Sequence, residues 1–269
     1  MKRKKLFSSA SLVILLASTS ANAAVLLTDN FNTYAGWDAT GVAADQGGTL
    51  DGTGYTTSTP VAGWISHSSD ANQPFGDNTL KVDTGAGPTY ASLNHNFAID
   101  ANLADLPLSI SFYVQAAGGP DNSWAGFNLG SVQNVMVNDS NTKFGTLFRN
   151  SNNNTSQFNA GADLVGQGTV SYNQPTGSTI TLVFSDTAGT GSAFDSVGGS
   201  GSKVAFYVEN TLAQTFTLGQ LSSADGYMSF QSYASRGVFD NLVVQTIPEP
   251  GAALLGGLGM LCLLRRRRA

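Results

Sequence analysis

Cysteine is all but missing from this chain. Cys262 is the only one in 269 residues, and it lies near the C-terminus. The segment from Ala24 to Ile247 therefore has no disulfide, no thiol nucleophile and no cysteine metal site. That segment, the body, is poor in other chemistry as well. It holds one glutamate, Glu209, and two histidines, His67 and His95. Its cations are Lys81, Lys143, Arg149, Lys203 and Arg236. Two histidines without cysteine do not make a zinc site. Long helical periodicity is also lacking between Ala24 and Ile247.

The charges that are present lie apart. Of 13 basic residues, four stand at the N-terminus and four at the C-terminus. The body carries 5 basic against 17 acidic side chains, a net charge of −12 hidden inside the overall −5. Such a surface repels nucleic acid and anionic lipid, and it attracts cations.

Both basic ends read as addresses. Lys2, Arg3, Lys4 and Lys5 precede a mostly apolar run from Leu6 to Leu16, and Ala21-Asn22-Ala23 follows. This is the pattern of a secretory signal peptide over residues 1–23, with small residues at Ala21 and Ala23 for cleavage. The competing reading is an uncleaved anchor helix. At the other end Pro248-Glu249-Pro250 leads into an uncharged run, Gly251 to Leu264, closed by Arg265, Arg266, Arg267 and Arg268. An apolar run followed by four arginines suits a transmembrane helix whose arginines stay at the cytoplasmic face. The run is short for a hydrocarbon core of about 30 Å, so arginine snorkelling and interfacial prolines must help. The prolines stop the helix and leave an extended segment outside it. A permanent single-pass anchor is the alternative.

Between the ends, short apolar runs alternate with period two. Leu108-Ser109-Ile110-Ser111-Phe112-Tyr113-Val114 and Thr179-Ile180-Thr181-Leu182-Val183-Phe184 are two of them. Val204 to Val208 and Gly237 to Val244 follow the same logic. Turn clusters such as Gly118-Gly119-Pro120-Asp121-Asn122 separate the runs. Alternating β-branched and aromatic residues fit half-buried strands. About a dozen such segments over residues 24–246 predict one all-β domain, a two-sheet antiparallel β-sandwich of jelly-roll type. The stretch from Gly189 to Gly201 is expected to be a flexible connection between strands.

The order of the tail's parts has a known likeness. Pro-Glu-Pro, an apolar helix ending in glycine and leucine, and a terminal arginine cluster together resemble the PEP-CTERM sorting signal of Gram-negative bacteria. The resemblance implies recognition by exosortase, a membrane-embedded transpeptidase, and cleavage near Pro248, Glu249 and Pro250. It also implies an inner-membrane stage, followed by the cell surface or an exopolysaccharide matrix. The body resembles concanavalin A-like, laminin-G-like sandwiches. Asp29-Asn30-Phe31 and Phe239-Asp240-Asn241-Leu242-Val243-Val244 are similar to the first and last strands, which pair side by side. Trp124-Ala125-Gly126-Phe127-Asn128-Leu129-Gly130 is similar to a central strand.

Candidate sites follow from what remains. Retaining glycoside hydrolysis needs two carboxylates across the scissile bond. The body has a single glutamate, no E-x-D-x-x-E run and no paired aspartates on a strand, so no catalytic residue is assigned. His67 and His95 are expected on loops or the surface, His95 because it alternates opposite the apolar face. Calcium is the cofactor considered. It takes oxygen ligands from Asp, Asn and carbonyls, and Asp77-Asn78 and Asp121-Asn122 offer them. Turn formation is the preferred reading of those pairs. A sugar site combines a stacking aromatic with polar acceptors. Asp121, Asn122 and Trp124 form the first choice, ahead of Trp37, Trp64 and Tyr90, with a core tryptophan as the alternative. The sequence leads to an exported, non-enzymatic sandwich with polysaccharide as its ligand class. A matrix protein without a specific ligand and a divergent polysaccharide-degrading enzyme are the other readings.

Overall fold

The computed structural model describes residues 24–29, 64–66, 80–83, 89–93, 95–117, 124–132, 140–149, 155–159, 169–172, 176–195, 201–233 and 236–248. The signal-peptide residues Ala21 and Ala23, the motif residues Glu249 and Pro250, and Arg265 to Arg268 lie outside them. So do Asp121, Asn122, Asp77, Asn78, His67 and Trp37. Among the described residues no helix is long and apolar enough to cross a membrane.

The expected two-sheet antiparallel sandwich is what forms. One sheet, A, has at its centre β5 (Leu108–Ala117), β10 (Ser178–Asp186) and β11 (Ser202–Val208). β12 (Thr211–Leu218) closes one side. On the other side β14 (Arg236–Thr246) pairs with β5, with β1 (Val25–Asp29) and with β3 (Leu80–Asp83). The first and last strands thus lie side by side, with Asp29 opposite Leu242, as their resemblance implied.

The other sheet, B, runs β2 (Trp64–Ser66), β4 (Thr89–Leu93), β13 (Tyr227–Tyr233), β6 (Trp124–Gly130), β7 (Thr142–Arg149), β8 (Thr155–Asn159) and β9 (Thr169–Ser171). The stretch singled out as a central strand, β6, is the middle one of the seven. All pairings in both sheets are antiparallel.

Alternation sets the layers. In β10 every second residue is buried, and Ile180, Leu182 and Phe184 point into the sandwich. Phenylalanine fills the core. Phe112 of β5 meets Phe127 at 5.2 Å and Phe230 at 5.1 Å between ring centres, so rings of the two sheets interlock. Phe144 packs on Phe184, and Phe148 approaches Phe206, joining β7 to sheet A. Each such side chain contributes about 1.5–3 kcal/mol through burial.

Turn chemistry joins the strands. Glu209 and Asn210 both have positive φ, 48° and 65°, in the two-residue turn between β11 and β12. This is the primed geometry that matches strand twist. Glu209 pays for its left-handed backbone with two bonds to Thr179. Its N–H donates to the Thr179 carbonyl at 3.0 Å, and its Oε1 accepts from the Thr179 N–H at 2.8 Å. The only glutamate of the body is therefore a turn lock.

Asp240 and Asn241 sit at a register break in β14, where Asn241 has φ 50°. The Asp240 carboxylate accepts from the Asn241 backbone at 2.7 Å and from its Nδ2 at 3.1 Å. The pair shapes the backbone at this break.

One element runs against the sequence reading. α1 (Phe97–Ala104) follows β4 and is capped by the Asn96 side chain, which accepts from Ala98 N at 3.1 Å. Asp105 ends it in the left-handed conformation at φ 50°. Its apolar residues do not segregate to one face: Phe97, Ala98 and Ala101 are buried, while Ile99 and Leu103 are exposed.

Candidate functional site

The face of a sheet that each residue takes follows from the core rings. Phe127 and Phe230 touch Phe112 across the sandwich, so Trp124, Gly126 and Asn128 of β6 point outward, as do Ser229, Gln231 and Tyr233 of β13. Phe144 and Phe148 do the same for β7 and turn Gly145, Leu147 and Arg149 outward. Register then builds rows across the outer face of sheet B. Tyr233, Trp124 and Arg149 are direct cross-strand partners, about 4.8 Å apart per strand. Two residues further along come Gln231, Gly126 and Leu147, then Ser229, Asn128 and Gly145.

The first row has the shape of a stacking platform. The Trp124 and Tyr233 rings lie 6.0 Å apart and 23° from parallel. Trp124 is half-buried, and Tyr233 retains 37% of its exposure. Gly126 makes room for the indole: a Cβ there would stand 3.2 Å from Cζ3 of Trp124 and 3.3 Å from Cδ2 of Leu147. Arg149 flanks the indole on the other side and is half-buried. Tyr172 braces this end. Its hydroxyl donates to the Arg149 carbonyl at 2.9 Å, and burial pushes its phenol well above the usual value. A flat aromatic surface beside a guanidinium can stack on a sugar ring and hydrogen-bond to its oxygens.

The third row holds a fully buried amide. Asn128 has no solvent exposure, and neither Oδ1 nor Nδ2 has a hydrogen-bond partner. Leaving such a group unsatisfied costs about 1–3 kcal/mol. Thr146, whose hydroxyl is also unpartnered, is different: it lies opposite Phe127 and faces the core.

Of the predicted sugar-site residues, Trp124 lies half-buried on the face of β6 turned away from Phe127, stacked on Tyr233. Asp121 and Asn122 lie outside the described residues, between β5 and β6. Sequence reasoning missed Tyr233, Arg149 and Asn128. Strand pairing alone brings them beside Trp124, and only Asn128, two residues after Gly126 on the same strand, had a local signal.

At the opposite end of the strands the charges concentrate. Asp105, Asp186, Asp195, Ser192 and Ser202 line a polar hollow of about 100 Å³. Asp186 is committed to the turn after β10, accepting from Gly189 N at 2.6 Å and Thr190 N at 2.9 Å. Desolvation pushes its carboxyl upward, but backbone donors from Thr190, Gly191 and Gly189, with nearby Lys203, outweigh it and hold the pKa below the usual value. That is the wrong direction for a general acid. Among the described residues no three acidic, histidine or cysteine side chains are arranged to hold a metal. The first part of the Gly189–Gly201 stretch is also less free than its composition suggested. Phe194 is fully buried, and Ser192 Oγ donates to Asn102 Oδ1 at 2.7 Å.

His95 corrects another expectation. It is 8% exposed, and its Nε2 lies 2.7 Å from Asp100 Oδ2, itself in the first turn of α1. Its ring meets Phe97 edge-on at 4.8 Å. Alternation placed it outward because the strand was extended past Leu93. The chain instead turns into α1, and His95 folds under the helix start.

No family model matches this chain, and no curated protein does. Solved structures do. The carbohydrate recognition domain of Emp46p in its metal-free form is similar over 68% of this chain and 87% of that one, at 8% identity and a TM-score of 0.46. A legume lectin-like domain from Entamoeba histolytica matches over 65% and 87%, at 9% identity and a TM-score of 0.41. The alginate lyase Aly36B, solved with an alginate trisaccharide, matches over 64% and 83%, at 11% identity and a TM-score of 0.40. These likenesses are to the two-sheet sandwich, which hosts both lectin-like domains and enzymes, and they assign neither ligand nor activity.

Proposed function

We propose that this chain is an exported, non-enzymatic β-sandwich that binds polysaccharide on the outer face of sheet B and is sorted to the cell envelope or matrix by its C-terminal tail. The observation that carries the binding reading is the Trp124–Tyr233 pair, stacked at 6.0 Å on the face turned away from the core, with Arg149 alongside. The indole packs over Gly126 on one side, and a sugar ring could stack on the aromatic surface left open. The body's single glutamate supports binding over hydrolysis. Glu209 is spent in a turn, and Asp186 is held ionised by backbone donors.

The delivery half of the reading rests on the two ends of the sequence. The basic, apolar, small-residue order of residues 1–23 supports export, and Pro248-Glu249-Pro250 before the apolar run and four arginines supports exosortase processing. The full chain, purified in detergent, should bind at least one member of a panel comprising a neutral β-glucan, a poly-N-acetylhexosamine and a polyuronate. The panel is run with calcium and with chelator, since calcium is the cofactor the sequence raises. Binding to none under either condition contradicts the ligand reading. For sorting, intact mass of the surface-exposed protein should place the C-terminus near Pro248-Glu249-Pro250, and retention of Arg265 to Arg268 would contradict processing.

A further inference from the structure

We infer that the exposed Ile99–Leu103 ridge of α1 beds into the lipid surface where the tail enters the membrane, so that the anchored sandwich stands on this end. The inference rests on the reading of the tail as a membrane anchor and goes beyond it: it gives the anchored body an orientation, with the Trp124–Tyr233 platform at the far end.

α1 lies across one end of the sandwich and is held from both sheets. The Phe97 N–H donates to the Gly226 carbonyl at 3.1 Å, just before β13 begins. Asn102 Nδ2 donates to the Phe194 carbonyl at 2.9 Å, in the segment after β10 ends. Phe97, Ala98 and Ala101 turn inward and are buried. At 3.6 residues per turn, Ile99 and Leu103 fall together on the other side of the helix. Ile99 keeps 50% of its exposure and Leu103 keeps 84%. The Asp100 carboxylate is turned under the helix to His95, so the ridge itself carries no charge.

The chain leaves the body at this same end. The Thr246 N–H donates to the Ala24 carbonyl and the Ile247 N–H to the Pro107 carbonyl, both at 2.9 Å. Pro107 follows Leu103 by four residues, and the apolar run begins at Gly251, four residues after Ile247. Four residues reach at most about 14 Å. With the run in the bilayer, this end of the body is therefore kept close to the lipid surface. An exposed leucine is ordinary on a free domain. The tether changes its weight, because it turns a weak bimolecular contact into an intramolecular one at high effective concentration. Val25, 43% exposed on β1 opposite Gln245, adds a third apolar side chain at this end. Aliphatic side chains on one side of a helix are what the headgroup–acyl boundary accepts.

Charge selects the lipid. Asp105, Asp186 and Asp195 line the hollow at this end. They repel anionic headgroups, so the surface that fits is zwitterionic or neutral, and salt screens what repulsion remains.

The test uses the full chain reconstituted in phosphatidylcholine vesicles, with flotation reporting insertion of the tail. A fluorophore is placed at Ser223→Cys or at Thr211→Cys, each with Cys262→Ser so that the label is unique. Ser223 is exposed beside α1, where its carbonyl accepts from Asn96, and Thr211 is exposed at the far end of β12. A headgroup nitroxide lipid should quench the Ser223 label several-fold more than the Thr211 label. Ile99→Ser/Leu103→Ser should bring the Ser223 label down to the Thr211 level while the chain still floats and its thermal stability is unchanged. Adding phosphatidylglycerol should weaken the quenching at low salt and not at high salt. A floating chain whose two labels are quenched alike overturns the inference and leaves the anchor reading in place. So does strong Ser223 quenching that survives the double substitution, since the tether alone then explains it. Energy transfer between Ser223 labels of different copies, without lipid quenching, would mean that a second copy covers the ridge, and the inference fails. A chain that does not float overturns the anchor reading and this inference with it.

Discussion

Gly126 and the Trp124 indole share one face of β6 so closely that a Cβ at residue 126 would lie 3.2 Å from Cζ3 of the ring and 3.2 Å from the Thr146 carbonyl oxygen. The ring can move and the carbonyl cannot. Gly126→Ala should therefore tilt the indole away from its stacking geometry with Tyr233. The expected result is a several-fold loss of polysaccharide affinity, a shift in tryptophan fluorescence, and a stability cost of about 1–3 kcal/mol from overpacking. Calorimetry and fluorescence on the one variant measure all three.

Thr146 tests the opposite face of the same sheet. Its hydroxyl is buried among core rings without a partner. Replacing it by valine removes the unsatisfied group and keeps the shape. Thr146→Val should leave binding unchanged and raise the unfolding free energy by up to about 1 kcal/mol. Urea denaturation decides it. A large loss would mean that the hydroxyl has a partner.

The His95–Asp100 pair anchors the start of α1, where the Phe97 N–H also donates to the Gly226 carbonyl at 3.1 Å. Asp100 also lies in the first turn of the helix, where a negative charge is favoured. Asp100→Ala should cost about 1.5–3 kcal/mol, the range for a buried bond to a charged group. The loss should appear as earlier amide exchange across Phe97–Ala104, with the Trp124 face unaffected.

Asp186 gives the fold a pH dependence of known sign. Its folded-state pKa lies below the unfolded value of 3.8. The carboxylate therefore contributes stability at every pH above the unfolded value, and the contribution is lost as pH falls through the folded one. Asp186→Asn should be less stable than the native chain at neutral pH, with the gap closing only below about pH 4. Parallel denaturation curves across that range are the measurement. A gap that widens on acidification would contradict the assignment.

Much of the architecture was legible because alternation is strict where one face meets the core. Leu108–Val114 and Thr179–Phe184 read as strands and are strands, and the pairing of the chain's two end strands followed from a short resemblance. β6 was legible as central, but its chemistry was not. Both its faces are buried, so Gly126 and Asn128 look like filler in a sequence. α1 escaped because its apolar residues fall on all sides, and His95 was misplaced with it. Asn96 followed by Asp100 is the capping and first-turn signal that could have revealed the helix. The site was half legible. Trp124 is conspicuous by type, but Tyr233 and Arg149 join it only through pairings that link residues far apart in the chain, and no local pattern encodes those.

The central claim is that the outward aromatic pair binds polysaccharide. The most direct measurement is the affinity of the full chain and of its Trp124→Ala/Tyr233→Ala variant for the best ligand of the panel, with thermal stability followed in parallel. Binding should fall by at least about tenfold, equivalent to about 1.4 kcal/mol, while the variant stays folded. A folded variant that binds like the native chain would contradict it.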